Sequence, residues 1–175
     1  MFPDRGQDNV HLDPVCAMVL DQLLLGHADG TFHPGAPVTR GQVASVLVRG
    51  SELESIQTGH PSFTDTGGSV HAPAIEALHL AGMVAGFPDN TFRPNQPIQR
   101  DQLASVLAAW LEIDGRASGP FTDVPASSVH LDAINALHAD GVVRGVTSTT
   151  CEPGAAVRRD QFAAFVERAR DTPAE

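Results

Sequence analysis

One stretch near the middle of the chain reads Gly86-Phe-Pro-Asp-Asn-Thr-Phe-Arg-Pro-Asn-Gln-Pro-Ile-Gln-Arg-Asp-Gln-Leu-Ala-Ser-Val-Leu. It occurs again from Gly26 and, more worn, from Gly145. Its arginine is Arg100, and the counterparts Arg40 and Arg159 lie 60 and 59 residues away. A fixed period of this length restricts the fold to repeated supersecondary units, none of which can bury its apolar face alone. The repeats span 1–55, 56–115 and 116–175.

Each repeat opens with Phe-x-Asp, at Phe2-Pro3-Asp4, Phe63-Thr64-Asp65 and Phe121-Thr122-Asp123. A polar stretch then ends in Val-His (Val10-His11, Val70-His71, Val129-His130). Apolar residues at helical spacing follow: Val15, Met18 and Val19; Ile75 and Leu78; Ile134 and Leu137. They predict a first helix, which Gly82 and Gly141 close in repeats two and three. Repeat one has Gln22 there, so its helix is expected to run longer or end differently. A short apolar segment such as Met83-Val84-Ala85 reads as a two- or three-residue strand.

The turn dipeptides Asp29-Gly30 and Asp89-Asn90 come next, with Phe32 and Phe92 expected to tuck inward. Prolines stiffen the approach to a second helix. Thr39 and Gln42 form a capping box at its start. Val43, Val46 and Leu47 make an apolar stripe, as do Leu103, Val106, Leu107 and Trp110, and Phe162, Phe165 and Val166. Residues 50–60 and 112–120 read as connectors. Three such units form either an open array or a closed pseudo-threefold bundle. Closure is expected, because neither end carries an obviously polar capping repeat. The fold class is therefore mainly α: three tandem helix–loop–helix repeats closed on each other.

Net charge is −10, which argues against nucleic-acid binding. No apolar run approaches the ~20 residues of a membrane span, and the first residues carry no apolar signal core. Either the protein is made inside the cell, or a leader and other domains have been trimmed away. Cys16 and Cys151 fit no metal motif and are read as buried free thiols. No nucleophile–base set, phosphate loop or zinc-protease motif is present, so the chain is read as a non-enzyme without cofactors.

The ordered recurrence of Phe-x-Asp, first helix, Gly, Asp-Gly-Thr-Phe-x-Pro and Thr-Arg-x-Gln resembles S-layer homology (SLH) repeats over nearly the whole chain. The resemblance implies a three-pronged, pseudo-threefold helical domain at the bacterial cell surface. Its implied role is non-covalent anchoring to secondary cell-wall polysaccharide, often pyruvylated, with other surface-layer proteins as a further partner class. The alternative is an assembly domain of the same fold without glycan binding. The sequence departs from the family at Val10, Val70 and Val129, where an aromatic, often Trp, is usual. Repeat three also lacks the Asp-Gly turn.

Candidate ligand-binding residues are Arg40, Arg100 and Arg159, with Asp29, Gly30, Asp89 and Asn90 of the turns. Each arginine falls in the first turn of a second helix, where the macrodipole disfavours a cation by roughly 0.3–1 kcal/mol. A compensating partner is required. It is either loop carbonyls or the Phe-x-Asp carboxylate of a neighbouring repeat, or a ligand carboxylate gripped in bidentate fashion. Helix N-terminal N–H groups would add to such a site. Asp29 and Asp89 are also explained as turn formers. His11, His71 and His130 are read as packing or capping the first helices, with a threefold metal triad as the alternative.

Overall fold

The structure, a computed structural model, describes residues 2–4, 6, 9–114 and 118–172. The middle of the second connector, 115–117, lies outside the described residues. Each repeat supplies two helices: α1 (Leu12–Leu20) and α2 (Arg40–Arg49), α3 (Ala72–Leu80) and α4 (Arg100–Trp110), α5 (Leu131–Ala139) and α6 (Arg159–Asp171). Among the described residues there is no β-strand. The expected strand at 83–85 does not form, because its first N–H is used to end α3: Met83 donates back to the Leu78 carbonyl at 2.9 Å. Isolated bridges join Pro37 to Arg158, Thr39 to Pro97 and Gln99 to Ala156.

The first helices all stop at the same place. α1, α3 and α5 are nine residues each. Gly82 and Gly141 take φ values of 75° and 74°, and Gln22 takes 58° without being a glycine. Gln22 donates to Val19 and Leu23 donates to Met18, the same pair of bonds that Gly82 and Met83 make at the end of α3. Repeat one therefore does not end differently. Two satisfied carbonyls and the burial of Leu23 outweigh the cost of a left-handed side-chain residue.

The second helices begin with one device in three versions. Gln42, Gln102 and Gln161 each accept the N-cap N–H on their side-chain oxygen. Only Thr39 returns a hydroxyl, to the Gln42 N–H at 3.3 Å. In α4 and α6 the N–H of the third helical residue goes instead to Asp101 or Asp160, where α2 has Gly41.

The chain divides into two compact units, one built on Val38–Ile98 and the other on the chain before and after it. In the first, α2 packs on α3. Val43, Val46, Leu47, Ile75 and Leu78 are buried. Its two ends meet, the Ile98 N–H donating to the Val38 carbonyl at 3.1 Å. In the second unit, α4 packs on α5 and α6 packs on α1. Each pair joins the second helix of one repeat to the first helix of the next. The α6–α1 pair returns the last repeat to the first, as closure requires and an open array would not allow. Phe162, Phe165 and Val166 are buried on α6, as expected. Of the expected stripe on α4, Leu103 and Leu107 are buried, whereas Val106 and Trp110, the latter expected in the core and standing at the last helical residue, are half-buried. Cys151 is buried and Cys16 half-buried, both as free thiols.

Candidate functional site

The Phe-x-Asp motif organises each loop. Asp4 accepts from the N–H groups of Phe32 and His33 at 2.8 and 2.7 Å. Asp65 does the same for Phe92 and Arg93, and Asp123 for Cys151 and Glu152. Two consecutive N–H groups face one carboxylate because His33, Arg93 and Glu152 are left-handed, with φ of 54°, 59° and 53°. Burial pushes the Asp4 and Asp123 carboxyls up, but the backbone donors outweigh it and hold both below the usual carboxylate range. The phenylalanine of the motif packs where a side chain on Gly26, Gly86 or Gly145 would stand, which explains those glycines.

Arg40, Arg100 and Arg159 are 8%, 8% and 4% exposed, so each charge needs partners inside the protein. They find them in the next repeat round the cycle. Arg40 Nε donates to the Phe92 carbonyl at 2.7 Å. Arg100 donates from Nε to Cys151 O at 2.7 Å and from Nη2 to Arg144 O at 3.1 Å. Arg159 donates from Nε to Phe32 O and from Nη2 to Leu25 O, both at 2.8 Å. Residues 32, 92 and 151 are thus held on both sides, by their own repeat's aspartate at N–H and by the preceding repeat's arginine at C=O. The helix N-terminal N–H groups are used similarly. Arg159 and Asp160 donate to Ala36 and Pro34, Arg100 and Asp101 to Ala155 and Pro153, and Arg40 and Gly41 to Gln96 and Pro94. The proline-framed approach presents its carbonyls to these helix ends.

This geometry sorts the candidate residues. Arg40 belongs with Asp89 and Asn90, not with Asp29 and Gly30. Its guanidinium lies 4.8 Å from the Phe87 ring centroid, and Arg93 lies over the same ring at 4.0 Å while pairing with Asp89 at 3.0 Å. Arg159 belongs with the loop of Asp29 and Gly30, and lies over Phe32 at 4.7 Å. Asp29 and Asp89 each accept from the N–H and hydroxyl of the threonine two residues on, the turn-forming role. Gly30 and Asn90 occupy the positive-φ position of their turns, with their N–H groups bonded to His27 and Phe87.

Arg100 lines a cleft of about 520 Å³ inside the second unit. Val10, His11 and Pro14 form one wall, Arg144, Gly145 and Val146 another, and Gln161, Ala164, Phe165, Glu167 and Arg168 of α6 the third. Arg168 donates to the Ala164 and Val142 carbonyls at 2.7 and 2.6 Å. Arg100 and Arg168 lie 5.4 and 5.1 Å from the Phe165 ring. Burial, followed by the positive charge of Arg144, pushes the Arg168 pKa down to about 10. The sequence reading missed Arg144 and Arg168. The signal was a charge in the otherwise apolar segment Val142-Val143-Arg144, where the other repeats have Leu25 and Ala85.

The histidines pack at helix starts. His71 Nδ1 bonds Ser45 at 2.8 Å, and His130 Nδ1 bonds Ser105 at 2.7 Å. At the equivalent place in the cleft Ala164 offers His11 no hydroxyl. Among the described residues no cluster of three or more His, Cys, Asp or Glu side chains could hold a metal.

Three segments of the chain, 14–44, 62–104 and 120–163, match the S-layer homology domain, one in each repeat and together about two thirds of the chain. The chain belongs to the S-layer homology family. It is 29% identical over 171 residues to an S-layer protein of Bacillus thuringiensis subsp. finitimus and to the S-layer protein sap of Bacillus anthracis. In each case the match covers 95% of this chain and 21% of the relative. A cellulosome-anchoring protein of Acetivibrio thermocellus is 36% identical over 109 residues, 58% of this chain and 24% of that protein. This SLH chain thus spans about a fifth to a quarter of the length of these relatives. No helix among its described residues is long and apolar enough to cross a membrane. The SLH positions that carry Val10, Val70 and Val129 in place of an aromatic are 86%, 88% and 88% exposed.

Proposed function

We propose that this SLH chain is a non-catalytic anchoring module that holds a bacterial surface protein to an anionic secondary cell-wall polysaccharide. The observation that carries the reading is the family match in each of the three repeats. The names of the relatives, S-layer proteins and a cellulosome-anchoring protein, point to the same place, the outer surface of a bacterial cell.

The electrostatics favour local recognition. A chain of net charge −10 repels an anionic polymer at long range, and that repulsion fades beyond about 8–10 Å at ordinary salt. Contact must therefore be made where cations are concentrated. The cleft at Arg100 is such a place, with Arg144 and Arg168 beside it. Arg40 and Arg159, each beside a phenylalanine ring, are secondary candidates with the Asp89-Asn90 and Asp29-Gly30 loops. The side-on donors of Arg100 and Arg159 are held by carbonyls, so a ligand carboxylate would meet the remaining end-on edge.

One observation favours the second reading, an assembly domain without glycan binding. The three exposed valines give a sugar ring no aromatic face on which to stack. Calorimetric titration with isolated wall polysaccharide, native and stripped of its acidic substituents, separates the two. Anchoring through the arginines predicts saturable binding to the native polymer and a large loss on stripping. No binding to either form leaves the assembly role.

A further inference from the structure

The cleft in the second unit is charged in a way that a single carboxylate does not satisfy. Arg100, Arg144 and Arg168 line it against one acid, Glu167, so the lining carries a net charge of +2 in a chain whose overall charge is −10, while Asp123 behind it also feels the charge of Arg100. The guanidinium of Arg168 already feels Arg144 and Arg100 as repulsion. The bonds to backbone carbonyls take up only part of the guanidiniums of Arg100 and Arg168. Arg100 uses Nε and Nη2, and Arg168 uses Nε and Nη1, each on backbone carbonyls. Among the described residues the exposed Arg144 side chain makes no hydrogen bond or ion pair.

The rest of the cleft is not shaped for a bare ion. At about 520 Å³ it is within the range of small-ligand sites. Its other lining is Phe165, Pro14, Val10 and Val146, surfaces that suit the C–H face of a sugar ring, with Gln161 and His11 able to meet hydroxyls. Repeat three alone brings this set together. The counterparts of Arg144 are Leu25 and Ala85, and the counterpart of Phe165 is a valine in both other repeats.

We propose that this cleft binds a sugar bearing a phosphate monoester, with Arg144 and Arg168 joining Arg100 around the doubly charged group. A phosphate monoester carries close to two charges at neutral pH and three acceptor oxygens, which matches the net charge of the lining and the remaining donors on three guanidiniums. The source of such a sugar, a phosphorylated wall glycan, rests on the anchoring reading; the anion chemistry rests on the cleft alone.

The test is calorimetric titration of the whole chain at pH 7.5 with glucose 6-phosphate, inorganic phosphate, glucose and glucuronate. Glucose 6-phosphate should bind at least tenfold more tightly than any of the other three. Arg144→Ala should lose at least tenfold in affinity for it with an unchanged melting temperature, and Arg144→Lys should restore most of that loss. Equal affinity for glucuronate and glucose 6-phosphate overturns the proposal, as does equal affinity for inorganic phosphate, or binding by Arg144→Ala that matches the parent. Native wall polysaccharide is titrated in parallel. Polymer binding without glucose 6-phosphate binding sinks the inference and leaves anchoring standing. Glucose 6-phosphate binding without polymer binding does the reverse.

Discussion

Arg159 shows how one residue joins the two ends of the chain. It stands against its own helix dipole, and carbonyls of Phe32 and Leu25, more than 120 residues away, compensate it. Lysine in its place keeps the charge and loses the fork that reaches two acceptors at once. Arg159→Lys is expected to cost about 2–3 kcal/mol, the scale of hydrogen bonds to a charged group with an acceptor left unpaired. Urea unfolding monitored by circular dichroism reads this directly. In repeat three the equivalent loop aspartate, Asp123, which accepts from the N–H groups of Cys151 and Glu152, gives a pH signature. The Asp123 carboxyl sits below its ordinary range in the folded chain, so it stabilises the fold above the unfolded value of about 3.9. That stability drains away as pH falls through the folded value. Asp123→Asn should therefore melt below the parent at pH 7, and the gap should close as both are taken below pH ~4. A gap that stays constant with pH would show that the carboxylate's charge is not what holds the Cys151 and Glu152 N–H groups.

At the scale of the element, helix ends were the most and least legible features. The start of α2 could be read from Thr39 and Gln42, because a capping box is a local device whose partners are three residues apart. The end of α1 could not, because Gln22 gives no sign that it will take a left-handed conformation. The information lies instead in Leu23, which is buried once the chain turns there. Gln22→Gly should relieve a left-handed cost of about 1–2 kcal/mol against an entropic loss of about 0.5–1. A gain of about 0.5–1 kcal/mol in unfolding free energy is the expected result, and a loss would show that the Gln22 side chain supports the turn. The apolar stripes were legible from their period, but a period does not know where a helix stops, and Trp110 falls on its last residue. The arginines could be picked out and their partners could not. A repeat paired with itself and a repeat paired with its neighbour have the same sequence pattern, so only the fold shows that Arg40 faces the loop of Asp89. Arg144 and Arg168 were missed for the opposite reason: a single departure from the repeat carries no periodicity.

At the scale of the whole molecule, each second helix is fastened to the loop of the next repeat, and α6 closes back on α1. Such a cycle places a similar arginine three times and lets one site diverge without loss of the fold. The cleft at Arg100 is where that divergence has gathered charge. The proposed function has this SLH chain attach surface proteins to a wall polymer through such sites. The most direct measurement is cosedimentation of the purified chain with bacterial cell-wall sacculi, before and after chemical removal of the secondary polysaccharide. The chain is expected to pellet with native sacculi, to stay in solution with stripped ones, and to be released when isolated polysaccharide is added in excess. A chain that stays in solution with both preparations, or pellets equally with both, would contradict that function.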